Sequence, residues 1–132
     1  MKATSNLENW NLNEGASDEA IQAAMSALGH ALPDDYVRFL RGSDGGEGFV
    51  GEQYLILWRA EELSQFNAEY EVAQDAPGLL LFGSNGGGEG YGFDTRDSSM
   101  KVVRVPFIGM EWRYATPVAD GLDDLLLKLK SK

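Results

Sequence analysis

Near its N-terminal side the chain repeats apolar residues with the period of a helix. They recur at positions i, i+3, i+4 and i+7, at Ile21, Ala24, Met25 and Leu28. Ser17 is a favourable N-cap, because its hydroxyl can accept a hydrogen bond from a backbone N–H of the first turn. Gly29 is suited to end the helix. The pattern therefore predicts an amphipathic helix between Ser17 and Gly29.

A second helical pattern follows directly. Pro33 fits the first position of a helix, where its missing N–H costs no hydrogen bond. Tyr36, Phe39 and Leu40 form one apolar face, and Gly42 is a stop signal. We expect a short helix that places these three side chains in the core.

The pattern then changes to that of strands. Residues 43–48 are predicted to be a loop. Two strands are then predicted at residues 49–51 and 54–58, joined by a tight turn at Gly51 and Glu52. The pattern of residues 60–70 predicts a third helix. The continuous apolar run of residues 79–82 predicts a central strand that is buried on both faces. The remaining predictions are a glycine-rich loop at 83–90, strands at 91–94, 101–105 and 112–114, and a closing helix at 122–129.

Length and composition agree with one folded domain. A chain of 132 residues with 43% apolar residues buries roughly two-thirds of its extended surface on folding. The absence of cysteine excludes disulfides, thiolate zinc sites and a cysteine nucleophile. Residues 1–16 are polar, and we expect a loosely ordered lead-in with Leu7, Trp10 and Leu12 as anchors. With no apolar run typical of a signal peptide or a membrane helix, we expect a cytoplasmic protein.

The charge narrows the choice of partners. The 21 acidic and 11 basic residues give a formal charge of −10. Nucleic acids and anionic membranes are disfavoured as partners, because both require neutralisation by Lys and Arg. Basic proteins are favoured, although acidity also keeps a protein soluble. No Lys or Arg occurs between Arg59 and Arg96, an interval with seven acidic residues: Glu61, Glu62, Glu69, Glu71, Asp75, Glu89 and Asp94.

The glycine-rich loop has more than one chemical interpretation. Such loops can cradle phosphate with backbone N–H groups, but this one lacks the usual Lys, and Glu89 would repel an anion. The interpretation that we favour is structural, with glycines that provide positive φ angles and close backbone packing. A third interpretation places Glu89 and Tyr91 on a protein-binding surface.

Metal and catalytic chemistry have little support in the sequence. Asp94 and Asp97 are interpreted as turn residues, and the single histidine, His30, excludes a His-rich metal site. No serine lies in a nucleophile-elbow pattern. We therefore expect neither an enzyme nor a cofactor.

Three segments together resemble the SUKH superfamily, which includes the Smi/Knr-type cell-wall regulators of yeast and many bacterial immunity proteins. They are residues 32–36 with Phe39 and Leu40, residues 82–94 and residues 103–107. The resemblance runs from about Ser17 to Leu129. It implies a single-domain α+β fold, with helices packed on a twisted, largely antiparallel sheet, and a function without catalysis. Its motif residues here are Leu32, Pro33, Tyr36, Gly83, Ser84, Asn85, Gly86, Gly87, Gly88, Gly92, Phe93, Asp94 and Pro106.

The leading hypothesis from the sequence is an immunity protein that is monomeric and covers the basic surface of a bacterial toxin, for example a nuclease. A regulatory adaptor of the Smi/Knr type is the first alternative, and a small-ligand binder that uses the glycine loop is the second. The predicted partner surface combines acidic and aromatic residues: Glu47, Glu52, Glu61, Glu62, Glu89, Tyr91, Glu111 and Trp112.

Overall fold

The strands form one antiparallel meander in which each strand pairs with the next one along the chain. The computed structural model describes residues 10–131. Within them the sheet has seven strands, in the order β1 to β7. Their bounds are β1 Asn11–Leu12, β2 Gly46–Val50, β3 Gln53–Leu57, β4 Leu79–Ser84, β5 Glu89–Asp94, β6 Val102–Pro106 and β7 Thr116–Ala119. The predicted α+β class with an antiparallel sheet is confirmed.

Five α-helices accompany the sheet in the described residues. They are α1 Asp18–Leu28, α2 Asp34–Gly42, α3 Leu63–Glu69, α4 Val72–Asp75 and α5 Leu122–Lys130. Helix α2 contacts α5, which also contacts β2 and β7, whereas α1 contacts α3. None of the helices between residues 10 and 131 has the length and apolar character needed to span a membrane.

The ends of α1 follow its local sequence. The Ser17 hydroxyl accepts a hydrogen bond from the Ala20 N–H at 3.1 Å, and Gly29 closes the helix with a positive φ of 71°. Ile21 and Ala24 are buried, as the apolar period predicts. Helix α2 begins one residue later than predicted, because Pro33 is extended and precedes the helix.

The core is centred on β4 and the aromatic residues around it. All six residues of β4 are buried. On one face, Phe82 and Phe93 stack at 4.4 Å, and the Tyr36 ring of α2 lies 5.4 Å from each of them. Leu79 and Leu81 occupy the other face, which we call the outer face. Burial on both faces explains why the sequence of this strand is apolar without alternation.

Strand β4 pairs with β5 from Leu79 to Ser84, but on its other side β3 covers only part of its length. Its pairing with β3 covers Ile56 with Ser84 and Leu57 with Gly83. Beyond that point, the Asn67 side chain of α3 bonds the backbone of Leu81 at both its N–H and its C=O, each at 2.9 Å. A side-chain amide therefore replaces a strand at the edge of β4.

Several local predictions need correction. The predicted loop 43–48 contains the start of β2, and residues 60–62 form a 3-10 turn before α3. Residues 112–114 are a 3-10 turn rather than a strand, and the last strand is β7. Trp10 is buried as an anchor, whereas Leu12 is largely exposed. Leu7 lies outside the described residues.

Candidate protein-binding surface

The glycine-rich segment is a β-hairpin whose loop is shorter than predicted. Strand β4 continues to Ser84 and β5 begins at Glu89, so the loop is limited to residues 85–88. The Ser84 hydroxyl accepts a bond from the Gly86 N–H at 2.9 Å. The Asn85 carboxamide oxygen accepts bonds from the N–H groups of Gly87 at 2.8 Å and Glu89 at 3.2 Å. These side chains hold the loop in one conformation.

The glycines have distinct steric roles. Gly86 and Gly88 adopt positive φ angles of 76° and 98°, which side chains rarely adopt. Gly83 and Gly92 allow close packing instead, since a Cβ would lie 2.3 Å from the Ile56 oxygen at Gly83 and 2.6 Å from Leu79 at Gly92. Gly87 has neither constraint. This geometry agrees with the structural interpretation of the loop.

The hydrogen bonds also bear on phosphate binding. A phosphate cradle requires backbone N–H groups that point outward. Here the N–H groups of Gly86, Gly87 and Glu89 donate to side chains of the loop itself, and the Asn85 N–H donates to the Glu89 carbonyl at 3.1 Å. The loop keeps few donors for an anion.

The other motif residues fix neighbouring elements. Leu32 is buried beside α2, and Phe93 completes the core aromatic cluster. Asp94 bonds Arg96 at 3.0 Å, and these hydrogen bonds hold the pKa of the Asp94 carboxyl below its usual range. Pro106 is the last residue of β6, opposite Glu89.

The eight residues predicted to bind a partner lie on several different elements of the fold. Glu47, Glu52 and Glu89 belong to the β2–β3 and β4–β5 hairpins. Glu61 and Glu62 lie in the 3-10 turn after β3, where Glu62 accepts the Arg59 N–H at 2.9 Å. The charged interval from residue 60 to residue 95 is likewise distributed over several elements.

Tyr91 and Trp112 are less exposed than a partner surface requires, whereas Glu111 is exposed and pairs with Arg113 at 3.1 Å. Tyr91 is only 2% exposed, and burial raises the pKa of its phenol, so its ring belongs to the core. Trp112 is half-buried, and its indole N–H donates to the Pro77 oxygen at 2.7 Å. Arg96 lies 3.4 Å above the Trp112 ring. The Trp112 side chain thereby links the β6–β7 connection to the turn before β4.

An aromatic surface that sequence reasoning did not identify lies on the outer face of the sheet. Phe49 and Tyr54 are opposite each other in β2 and β3, and their rings meet edge to face at 5.0 Å. The Tyr54 hydroxyl donates to Glu47, a bond that raises the pKa of the phenol. Ile56 continues this face and pairs with Ser84. Phe49 is 63% exposed, whereas Tyr54 and Ile56 are partly buried.

The same face continues across the glycine hairpin to Phe107 and Tyr70. Gly90 pairs with Ser84, and its notional Cβ would lie 2.6 Å from the Phe107 ring, which therefore covers the hairpin on the outer face. Phe107 and Tyr70 stack at 4.3 Å with an interplanar angle of 9°. We call this surface the outer-face patch, and its members are Phe49, Tyr54, Ile56, Tyr70 and Phe107.

The comparisons with known proteins give the family. A family model described as the SMI1 / KNR4 family (SUKH-1) matches residues 15–128. This chain belongs to the SUKH-1 family. No curated protein matches the sequence. The resemblance to this superfamily, based on the segments around Tyr36, the glycine hairpin and Val105, is therefore confirmed.

A pocket of this SUKH-1 chain lies away from the glycine hairpin. It has a volume of about 330 Å³ and lies between the end of α1, helices α3 and α4, and the start of β4. Leu28, Val72 and Leu79 line it together with His30, whose Nδ1 is 2.7 Å from the Ala31 oxygen. The hypothesis of a small-ligand site at the glycine loop gains no support from this position.

Metal binding was considered from the sequence as well. Among residues 10–131, no group of three or more His, Asp or Glu side chains is arranged to hold a metal ion. Asp97, considered from the sequence with Asp94, accepts the Ser99 N–H at 2.9 Å and acts within its turn.

Proposed function

We propose that this SUKH-1 chain is a non-catalytic protein-binding domain that acts as an immunity protein and neutralises a cognate bacterial toxin. The observation that supports it best is the exposed outer-face patch within a strongly acidic part of the chain. Exposed aromatic side chains are enriched at surfaces that bind proteins, and acidic neighbours favour a partner of opposite charge. Membership of the family supports protein interaction as the general class of function.

The mechanism would be occlusion, assisted by electrostatic steering. A toxin that acts on nucleic acid needs a basic surface to hold its substrate. A protein with a formal charge of −10 attracts such a surface over long distances, and steering of this kind raises association rates at low salt. Once bound, the domain would cover the surface that the substrate requires, and no bond would be made or broken.

The first experiment is co-expression of the chain with the product of a toxin gene encoded beside it in its native genome. Growth that is restored by the chain, together with a purified complex of nanomolar affinity, would support the proposal. The control is Gly83→Ala, which we expect to unfold the domain and abolish protection. Binding to several housekeeping proteins but to no toxin would instead favour the regulatory adaptor.

A further inference from the structure

The outer-face patch is exposed to a degree that core packing does not require. Phe49 is 63% exposed and Tyr70 is 36% exposed. The aromatic rings nevertheless hold one another in place, by the contact of Phe49 with Tyr54 and the stack of Tyr70 on Phe107. A preformed apolar surface loses little conformational entropy on binding, which favours affinity.

The charges around the patch select the partner's chemistry. From residue 42 to residue 95 the sequence contains ten acidic residues and a single basic one, Arg59. Glu69 and Glu71 flank Tyr70 and are exposed, and Glu47 is exposed beside the Phe49 and Tyr54 pair. A second copy of the chain would bring like charges together, and like charges that face each other across an interface are costly.

The backbone between α3 and α4 has an unusual conformation at Tyr70 and the two glutamates beside it. Glu71 has a positive φ of 54°, which is uncommon for a residue other than glycine. This conformation breaks the helical path between α3 and α4. It leaves Tyr70 at the end of α3 with its ring stacked on Phe107 and an acidic side chain on either side in sequence.

We propose that the outer-face patch is the docking face of this protein, and that it receives an extended basic segment of the partner. One Arg or Lys side chain of that segment lies over the exposed Phe49 ring, and another lies beside Tyr70, whose ring is stacked with both Phe107 and Trp58. A guanidinium over an aromatic face is attracted by the ring quadrupole. The Glu47 carboxylate bonds the Tyr54 hydroxyl next to Phe49, and Glu69 and Glu71 are the exposed neighbours of Tyr70 in sequence, so acids accompany the rings at both ends of the patch. That the partner is a toxin rests on the proposed function, whereas the chemistry of the face does not.

The chemistry of the face can be tested without the toxin. Octa-arginine is titrated into the ¹⁵N-labelled full chain, with octa-lysine and octa-glutamate as companion probes, and backbone amide shifts are followed. We expect shifts that saturate at residues 47–56, 69–71 and 107–108, larger for arginine than for lysine because arginine stacks better on aromatic rings. Shifts centred on the pocket around His30, or spread over all acidic residues, would overturn the proposal.

The second arm uses the purified toxin domain and matched variants. Phe49→Ala and Tyr70→Ala should each weaken binding by about 30-fold, the change typical of a hot-spot residue. Leu127→Ala removes a side chain that is 51% exposed on α5 and should leave affinity unchanged. Glu71→Lys should slow association at low salt, and Glu14→Lys, an exposed acid elsewhere, should slow it much less.

The two arms separate the two proposals. If the toxin binds and the Phe49 and Tyr70 variants bind as tightly as the original chain, the docking face is wrong and the immunity function stands. If octa-arginine maps to the outer-face patch but no toxin binds, the face stands and the immunity function is wrong. Each variant is first compared with the original chain by circular dichroism and thermal melting, so that loss of binding is not confused with unfolding.

Discussion

The link between α3 and the central strand gives the most quantitative prediction. The Asn67 amide N–H groups donate to the Leu63 oxygen at 2.8 Å and to the Leu81 oxygen at 2.9 Å. The Asn67 oxygen accepts the Leu81 N–H at 2.9 Å. Leu81 is fully buried, and β3 does not extend far enough to pair with it. Asn67→Ala therefore leaves a buried N–H and a buried C=O in the central strand without partners.

The expected cost follows from these contacts. Leaving a buried donor or acceptor unsatisfied costs about 1–3 kcal/mol, and some of this is recovered if water enters the space left by the side chain. For two groups we expect a loss of about 2–4 kcal/mol in the free energy of unfolding. For a domain of this size that corresponds to a decrease in Tm of roughly 10 °C.

The assay is urea denaturation followed by tryptophan fluorescence, with thermal melting as a second measure. Gln65→Ala is the matched control, because Gln65 is an exposed amide on the same helix that bonds Glu69 at 3.3 Å. It should change stability by less than about 0.5 kcal/mol. If Asn67→Ala were as stable as Gln65→Ala, the amide would not replace a strand at this edge and the reasoning would be refuted.

The remaining predictions concern the helix cap, the glycine hairpin and pH. Ser17→Ala should cost about 1 kcal/mol by loss of the N-cap, and an unchanged urea midpoint would contradict it. Gly83→Ala should prevent folding, because its Cβ would clash with the backbone. Gly88→Ala should lower the free energy of unfolding by about 1 kcal/mol because of the positive φ of this residue, and Gly87→Ala should be nearly neutral. Equal melting temperatures for the three variants would contradict this order. The lowered pKa of Asp94 stabilises the fold above the unfolded pKa of about 3.9, and this stabilisation is lost as pH falls through the lower folded pKa. The stability difference between the original chain and Asp94→Asn should therefore shrink from neutral pH to about pH 2, and a constant difference would show that the ion pair contributes nothing.

Elements with strong local signals could be predicted from the sequence. The α1 helix has its cap, apolar period and terminal glycine in consecutive residues, so Ser17 and Gly29 mark its ends correctly. The β2–β3 turn likewise follows from Gly51, which adopts a positive φ of 64°. In these segments the local preference and the tertiary structure agree.

Other features depend on contacts between distant segments and could not be predicted. The conformation of residues 112–114 is set partly by the bond from Trp112 to Pro77, which no local pattern reveals. Tyr91 follows a glycine-rich loop and looks exposed in sequence, yet its strand lies inside the sheet. The outer-face patch is assembled from β2, β3, the end of α3 and the residue after β6. Its signal was present only as scattered aromatic residues, among them Phe49 and Phe107.

The central claim is that this acidic SUKH-1 chain works by binding a basic toxin protein. Stopped-flow association with the toxin domain encoded beside it, measured from about 0.02 M to about 0.5 M salt, tests it most directly. The account predicts a nanomolar complex at low salt whose association rate falls steeply as salt rises, while dissociation changes less. No binding at micromolar toxin, or an association rate independent of salt, would contradict the account.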